Sequence, residues 1–327
     1  MSHESTLLAL LKPVQPGLAR MREVLGLQIA DASPAVRDMT DHVSRFQGKQ
    51  LRGALVLLVG EATGNSTDEH STIAAIVEMI HLATLVHDDI LDGAKVRRKV
   101  ACVHSRWDNQ VAVLLGDFLY ARAFALSTDL SSRMCSRLLS ETTRRICVGE
   151  IEQATRRYDF ELSEARYEAI AGAKTATLYA AACELGARYP AGNEELGAAL
   201  RAFGWELGLS FQIVDDCLDL VAEEGELGKS AGTDVADGKV TLPVLYTYRN
   251  ADEGMRGRIR DIYTRPGLEN RARHLREECD LQQGLDYAQA RASALIESAR
   301  ARLARLPEGA ARRSLEALTG FVLARRW

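Results

Sequence analysis

Apolar residues recur along this chain at three- and four-residue steps almost from end to end. Leu51, Leu55, Leu58 and Val59 form one stripe, and Ile73, Ile76, Val77 and Ile80 form another. This is the spacing of helices that each bury one face. The same period predicts helices near 107–127, 132–155, 163–187, 194–221, 239–249, 253–263, 284–305 and 309–324. Alternating strands joined by hairpin turns are not expected. Breaks fall on turn chemistry at Asp31-Ala32-Ser33-Pro34, Thr63-Gly64-Asn65-Ser66, Tyr189-Pro190-Ala191-Gly192-Asn193 and Arg265-Pro266-Gly267. No linker or shift in composition divides the chain, so one all-α domain over 1–327 is expected, a bundle of about ten or more helices. Within it, 1–33 would be an N-terminal helical segment and 250–327 the closing helices.

Composition narrows the class. With 46% apolar and 26% charged residues in 327, the chain can build a sizeable core. A net charge of −4 gives no electrostatic case for nucleic acid or an anionic membrane as partner. No apolar run is expected to reach membrane-spanning length, so stable membrane insertion is not expected. Met1-Ser2-His3-Glu4-Ser5 carries no basic segment, and no signal-like core follows it; a cytoplasmic protein is expected. The six cysteines (102, 135, 147, 183, 217, 279) form no CxxC pair and read as free thiols of a reducing compartment.

The candidate chemistry lies in two acidic clusters of identical spacing, Asp88-Asp89-Ile90-Leu91-Asp92 and Asp215-Asp216-Cys217-Leu218-Asp219. Each closes a long apolar helix. At 3.6 residues per turn the first and fifth positions share a face, so each helix can present a carboxylate pair, hard oxygen ligands suited to Mg²⁺. Both clusters stand at helix C-termini, against the macrodipole, and need cations nearby. His81 lies within about 40° of Asp88 and Asp92 on a helical wheel. The basic run Lys95-Val96-Arg97-Arg98-Lys99 follows the first cluster. An anion held between metal and arginine, diphosphate above all, fits both. After the second cluster, Gly225-Glu226-Leu227-Gly228-Lys229-Ser230 is not a P-loop: position 223 is glutamate and a helix precedes it. A glycine-rich loop carrying Lys229 over the acidic site, with Lys239 beyond it, is the better reading.

Taken in order, the motifs resemble the polyprenyl synthetase family, the trans-type polyprenyl diphosphate synthases. The resemblance runs from about 45 to 245 through Gly48-Lys49-x-x-Arg52, Glu78-x-x-His81-x-Ala83-x-Leu85-x-His87-Asp88-Asp89-x-x-Asp92, Arg97-Arg98, Trp107-x-Asn109 and Gly116-Asp117-Phe118-Leu119. It continues through Gly149-Glu150-x-x-Gln153, Lys174-Thr175-Ala176, Phe211-Gln212-x-x-Asp215-Asp216-x-x-Asp219, Gly228-Lys229-x-x-Gly232-x-Asp234 and Gly238-Lys239-x-Thr241-Leu242-Pro243. The chain departs from the family's Gly-Gly-Lys-Arg-x-Arg-Pro segment at 47–53, and Lys99 stands where a glycine usually follows the arginine pair. Lys49 and Arg52 are kept, so the departures bear on loop geometry more than on chemistry.

The resemblance implies an isoprenoid-synthase-type bundle around a central cavity, a homodimer, and condensation of isopentenyl diphosphate onto allylic diphosphates. Asp88, Asp92 and Asp215 would hold Mg²⁺ directly, three ions per site with substrate bound, and Asp89, Asp216 and Asp219 would stand behind them as outer or auxiliary ligands. Arg97, Lys174, Lys229 and Lys239, with Thr175 and Gln212, would bind the allylic diphosphate. Lys49, Arg52, His81 and Arg98 would bind isopentenyl diphosphate without metal. Thr175, Gln212 and Phe211 would face the carbocation. Ala83 and Thr84, with Leu126 and Leu139 deeper, would limit tail length. No aromatic stands at 83 or 84, so a product of twenty-five carbons or more is expected, with geranylgeranyl diphosphate as the alternative. A terpene cyclase would carry an Asn/Ser/Glu metal motif instead of the second cluster, and a non-catalytic subunit would usually lose one or both clusters.

Overall fold

A computed structural model describes residues 3–30, 33–46, 48–222 and 232–324. Its N-terminal elements are α1 (His3–Leu10), a 3₁₀ turn (Lys12–Val14), α2 (Gln15–Ile29), α3 (Pro34–Ser44), α4 (Leu51–Thr63) and α5 (Glu69–Leu91). A hairpin of β1 (Val96–Arg97) and β2 (Val100–Ala101) leads to α6 (Val103–Arg106), α7 (Asn109–Thr128) and α8 (Met134–Thr155). Then come α9 (Glu164–Ala171), a π turn (Gly172–Ala176), α10 (Thr177–Arg188) and α11 (Glu194–Val221). The chain closes with α12 (Thr233–Ala236), α13 (Leu242–Asn250), α14 (Glu253–Thr264), α15 (Arg271–Glu278), α16 (Gln282–Leu303) and α17 (Ala310–Leu323).

The helix ends follow local chemistry. Asp108, Asn193 and Asp252 cap α7, α11 and α14, accepting from the N–H groups of Val111, Leu196 and Met255. Each such cap is worth about 1 kcal/mol. Helix α4 stops at Gly64, whose φ of 68° is the left-handed turn that glycine adopts most readily. The 28-residue α11 is the spine, packed along α10 and α16, while α5 lies along α7 and α2. Leu200, Phe203 and Leu207 of α11 join the apolar core built around α4, α5 and α10. Leu209, Ile213 and Val214 join a second core with α13 and α16.

Four expectations are corrected. A short antiparallel hairpin exists, with Val96 opposite Ala101 and Arg97 opposite Val100. Helix α15 has only Ala272 and Leu275 buried, too few apolar positions to show a period. The stretch at 163–187 is not one helix, because the π turn interrupts it. Finally, α7, at 20 residues, is by length and composition apolar enough to cross a membrane. It is apolar on two faces: Leu115 and Leu119 enter the core, while Val113 and Leu114 are exposed.

Two glycines let neighbouring helices press on the π turn. A Cβ at Gly149 of α8 would lie 2.8 Å from Ala173 Cβ, and one at Gly208 of α11 only 2.7 Å from Ala176 Cα. Any larger residue there would displace Lys174 and Thr175, which the turn carries.

Candidate active site

The C-terminal ends of α5 and α11 face one cavity of about 500 Å³. Its wall also takes residues from the start of α4, the hairpin, α8, the π turn and the stretch 233–241. Seven carboxylates and seven lysine or arginine side chains line it, so a bare anion meets no large net attraction and position decides what binds.

On the α5 wall, Asp88 and Asp92 line the cavity as the helical wheel predicts. Burial pushes the Asp88 carboxyl up to about 7, reinforced by Glu150 and opposed by Lys174. Burial acts on Asp92 too, but Lys239 at 2.8 Å outweighs it and holds that carboxyl below the ordinary aspartate value. Asp89 points away from the cavity, 1% exposed, and accepts from Arg97 Nε at 2.6 Å. One cluster thus divides into two cavity carboxylates and one that anchors the hairpin arginine.

The α11 wall divides differently. Asp215 lines the cavity. Asp216 lines it too, but both its oxygens are engaged, one by the Tyr167 hydroxyl at 2.5 Å and the other by Gln212 Nε2 at 2.7 Å. Burial, with Asp234 adding to it, pushes Asp216 up to about 7. Asp219 does not reach the cavity. It accepts from Thr233 Oγ1 at 3.1 Å and from the Asp234 N–H at 2.9 Å, which fastens the start of α12. The expectation that the first and fifth positions of this helix present a carboxylate pair to the cavity is corrected: the Asp219 face is taken up by the returning chain.

The cations form two groups. Lys239 sits among Asp92, Asp234 and Asp237, at 2.8, 3.3 and 3.3 Å. Burial alone would lower its ammonium, but these carboxylates hold it well above the ordinary lysine value. Lys174 pairs with Glu150 at 2.9 Å and donates to Gln153. Two helical turns from Asp88, the second group gathers Lys49, Arg52, Arg98 and His81. Arg52 Nη1 donates to His81 Nε2 at 3.0 Å, so that nitrogen is an acceptor and the proton sits on Nδ1. Burial, with Arg52 and Arg98 close by, keeps His81 well below its usual range, hence neutral. Arg98 donates to the Phe46 carbonyl, and Arg52 lies over the Tyr179 ring, 4.5 Å from its centre.

Phe211, Thr175 and Gln212 line the cavity, and Thr175 donates to Gln212 Oε1 at 2.6 Å. Of the four residues expected to limit tail length, Thr84 lines it and Ala83, Leu126 and Leu139 do not. Ala83 is one step, about 100°, round α5 from Thr84 and lies in the core. Leu139 is fully buried, and Leu126 is partly buried against the same core. Lys229 falls outside the described residues.

Sequence reasoning gave no role to Glu78, Glu150, Tyr167 and Tyr179. Glu78, fully buried, accepts from the Gly53 N–H at 2.8 Å and steadies the first turn of α4 beside Arg52. Its one signal is the i, i+3 step to His81. Tyr167 stands two turns before Lys174, a spacing that the π turn offsets and a helical wheel misreads.

A family model described as polyprenyl synthetase matches residues 33–279. The chain belongs to the polyprenyl synthetase family. That family is one of prenyltransferases, and this enzyme is of that class. The all-trans-nonaprenyl-diphosphate synthase (geranyl-diphosphate specific) of Rhodobacter capsulatus is 36% identical over 97% of this chain and 97% of that one. Heptaprenyl diphosphate synthase component 2 of Bacillus subtilis is 34% identical, over 90% of this chain and 84% of that protein. Among solved structures, the polyprenyl synthase of Caulobacter crescentus, complexed with calcium and isoprenyl diphosphate, superposes with a TM-score of 0.92. It shares 34% identity, and the match covers 98% of each chain.

The donor set suits a hard divalent cation. Asp88, Asp92 and Asp215 offer carboxylate oxygens from two walls, the ligand type that Mg²⁺ selects. Among the described residues no three acidic, histidine or cysteine side chains form a ready-made metal group. Ligands split between two walls fit an ion completed by an oxygen-rich substrate.

Proposed function

We propose that this synthetase-family enzyme condenses isopentenyl diphosphate head-to-tail with allylic diphosphates, using Mg²⁺, to give an all-trans polyprenyl diphosphate of twenty-five carbons or more. The observation that carries this reading is that Asp88 and Asp92 of α5 and Asp215 of α11 line one cavity together with Lys49, Arg52, Arg98, Lys174 and Lys239. Asp88, Asp92 and Asp215 hold the metal; Arg97, Lys174 and Lys239 close on the allylic diphosphate, with Lys229 assigned there by motif. Bound Mg²⁺ would supply Lewis-acid stabilisation of the charge gathering on the departing diphosphate. Lys49, Arg52 and Arg98, with His81 orienting Arg52, hold isopentenyl diphosphate so that its double bond meets the allylic carbon. The allylic carbon–oxygen bond breaks, a carbon–carbon bond forms, and the released diphosphate takes the proton lost from the isopentenyl unit. Phe211 and the Thr175 oxygen face the positive charge between those events.

The long product is supported by Thr84, a small residue at the cavity wall, and by the nonaprenyl relative. Purified chain with Mg²⁺ should consume isopentenyl diphosphate only when dimethylallyl, geranyl or farnesyl diphosphate is added, and mass spectrometry should find products beyond twenty carbons. Turnover that persists in EDTA would overturn the metal role, and a stop at twenty carbons would overturn the length.

The proposed enzyme is a twofold homodimer. Val113 and Leu114 on α7 and Val148 and Ile151 on α8 are 44–64% exposed, an apolar area in need of cover. The Bacillus subtilis relative is named as one component, which makes a different subunit the alternative. Light scattering of the chain alone should give twice its mass, with full turnover. Leu114→Glu with Ile151→Glu should give a monomer. A wild-type monomer that needs a second protein for activity would favour the alternative.

A further inference from the structure

Four cavity-lining side chains, Tyr167, Asp216, Gln212 and Thr175, form a hydrogen-bonded row that runs in one direction. Tyr167 of α9 donates to Asp216 Oδ2 at 2.5 Å. Gln212 Nε2 donates to Asp216 Oδ1 at 2.7 Å, and Gln212 Oε1 accepts from the Thr175 hydroxyl at 2.6 Å. With Tyr167 donating to one oxygen and Gln212 to the other, Asp216 accepts at both, and Gln212 turns its NH₂ group to Asp216 and its oxygen to Thr175. That oxygen also only accepts, so the Thr175 proton lies along the row. Thr175 lines the cavity, and its oxygen keeps lone pairs free of its own hydrogen. While Asp216 accepts from Tyr167, turning the Gln212 amide over would set oxygen against oxygen at the other carboxylate position.

Tyr167 is the far end of the row. It is 5% exposed, with its ring in the same apolar core as Leu209 and Ile213 of α11. Gln212 alone engages one carboxylate oxygen; the tyrosine hydroxyl engages the other and stops Asp216 from swinging towards the cavity that it also lines. We infer that Tyr167 is a positioning residue of the reaction. By holding Asp216 and through it the Gln212 amide, it makes Thr175 present oxygen lone pairs, not a hydroxyl hydrogen, to the allylic cation. This rests on the condensation proposed above. A corollary is that Asp216 serves the row and does not ligate metal, although it belongs to the acidic cluster.

The test is a double-mutant cycle on the full chain, assayed with Mg²⁺, isopentenyl diphosphate and farnesyl diphosphate. Tyr167→Phe should lower kcat about tenfold and leave both KM values within about twofold, because charge stabilisation is lost and substrate binding is not. Thr175→Val should lower kcat at least as far, and Thr175→Ser, which keeps the hydroxyl, should recover most of the rate. The Tyr167→Phe, Thr175→Val double variant should be no more than about twofold slower than Thr175→Val, since both act through one row. Losses that multiply, a KM effect without a kcat effect, or Tyr167→Phe within about twofold of wild-type kcat would each overturn the inference. Thermal melts accompany every variant. Should Tyr167→Phe melt below the assay temperature, the comparison of Thr175→Ser with Thr175→Val decides, and equal losses from the two overturn it. Wild-type protein without primer-dependent turnover would instead overturn the reaction, a different failure.

Discussion

The two acidic clusters share one spelling and do different work. On α5, positions one and five face the cavity and position two anchors the hairpin through Arg97. On α11, position one faces the cavity, position two is gripped by Tyr167 and Gln212, and position five is a cap for returning chain. The positions four residues earlier differ as well: Thr84 on α5 and Phe211 on α11, both at the cavity wall. Helical spacing assigns a face, but the chain that returns against that face assigns the role. The α5 cluster is followed by a short hairpin that leaves its last carboxylate at the cavity, where Lys239 meets it at 2.8 Å. The α11 cluster is followed by 232–241, which folds back onto it.

The largest predicted difference separates positions one and five. Asp88→Ala and Asp215→Ala should each lose at least ~10²-fold in kcat, because each removes a charge that organises the transition state. Asp92→Asn should cost activity, whereas Asp219→Asn should chiefly cost stability. It weakens a buried acceptor that takes hydrogen bonds from Thr233 and the Asp234 N–H, a loss of about 1–3 kcal/mol. Turnover and thermal melts of the four variants are the check. An Asp219→Asn enzyme with unchanged melting and a raised metal requirement would make the clusters equivalent after all.

The next difference concerns the wall four residues before each cluster. Thr84→Phe would give α5 the aromatic that α11 already has, and should shorten the dominant product while leaving the initial rate near wild type. Ala83→Phe should do otherwise: Ala83 is fully buried against neighbouring helices, so a ring there overpacks the core at about 1–3 kcal/mol. Product lengths by mass spectrometry and melts of both variants decide between tunnel and core at each position. A folded, active Thr84→Phe enzyme with an unchanged product would remove the α5 wall from length control.

How much of this was legible in the sequence can be read from the same residues. The stripes on α4 and α5 gave their helices because a core-facing helix must repeat its apolar positions. Helix α15 gave none, since two buried residues make no period. Asp88, Asp92, Lys174 and Lys239 reach the cavity as expected, each at the end of its element or fixed by local spacing. Asp219, Ala83 and Tyr167 depend on which distant segment packs beside them, and no local spacing encodes that. The π turn adds a second obstacle, because it shifts the helical phase between Tyr167 and Thr175.

A smaller effect arises from acidity. Asp88 and Asp216 are both pushed up to about 7 by burial, from an ordinary value of 3.8. The unfolded chain loses these protons near 3.8 and the folded chain holds them until about 7. Between those values the folded form binds more protons, so stability falls as pH rises. Ligand-free protein should therefore melt lower at pH 8 than at pH 5, and Asp88→Asn or Asp216→Asn should each flatten that slope. Mg²⁺ with diphosphate should flatten the Asp88 share, because the cation favours the ionised carboxylate, and should leave the Asp216 share. Melting across pH with and without Mg²⁺ and diphosphate reads both, and loss of the Asp216 share on adding them would make it a ligand.

The smallest effect lies in the hairpin beside the first cluster. Arg98 and Lys99 form its turn with φ of 51° and 65°, both in the left-handed region. Two positive φ values make this the mirror-image turn that matches strand twist, and it favours asparagine then glycine. Arg98 has reason to bear the strain, since its guanidinium lines the cavity and reaches the Phe46 carbonyl. Lys99 does not line the cavity. A left-handed conformation costs an ordinary residue about 1–2 kcal/mol. Glycine removes that strain but loses about 0.5–1 kcal/mol through its freer unfolded chain. Lys99→Gly should therefore stabilise the protein by about 0.5–1 kcal/mol, with kcat and both KM values unchanged. Arg98→Gly would relieve the same strain, yet should raise the KM for isopentenyl diphosphate because it removes a binding group. Denaturant melts and kinetics of the two variants separate strain from function. If Lys99→Gly also raises that KM, the strained turn is part of the binding site and the α5 cluster depends on its hairpin as closely as the α11 cluster depends on 232–241.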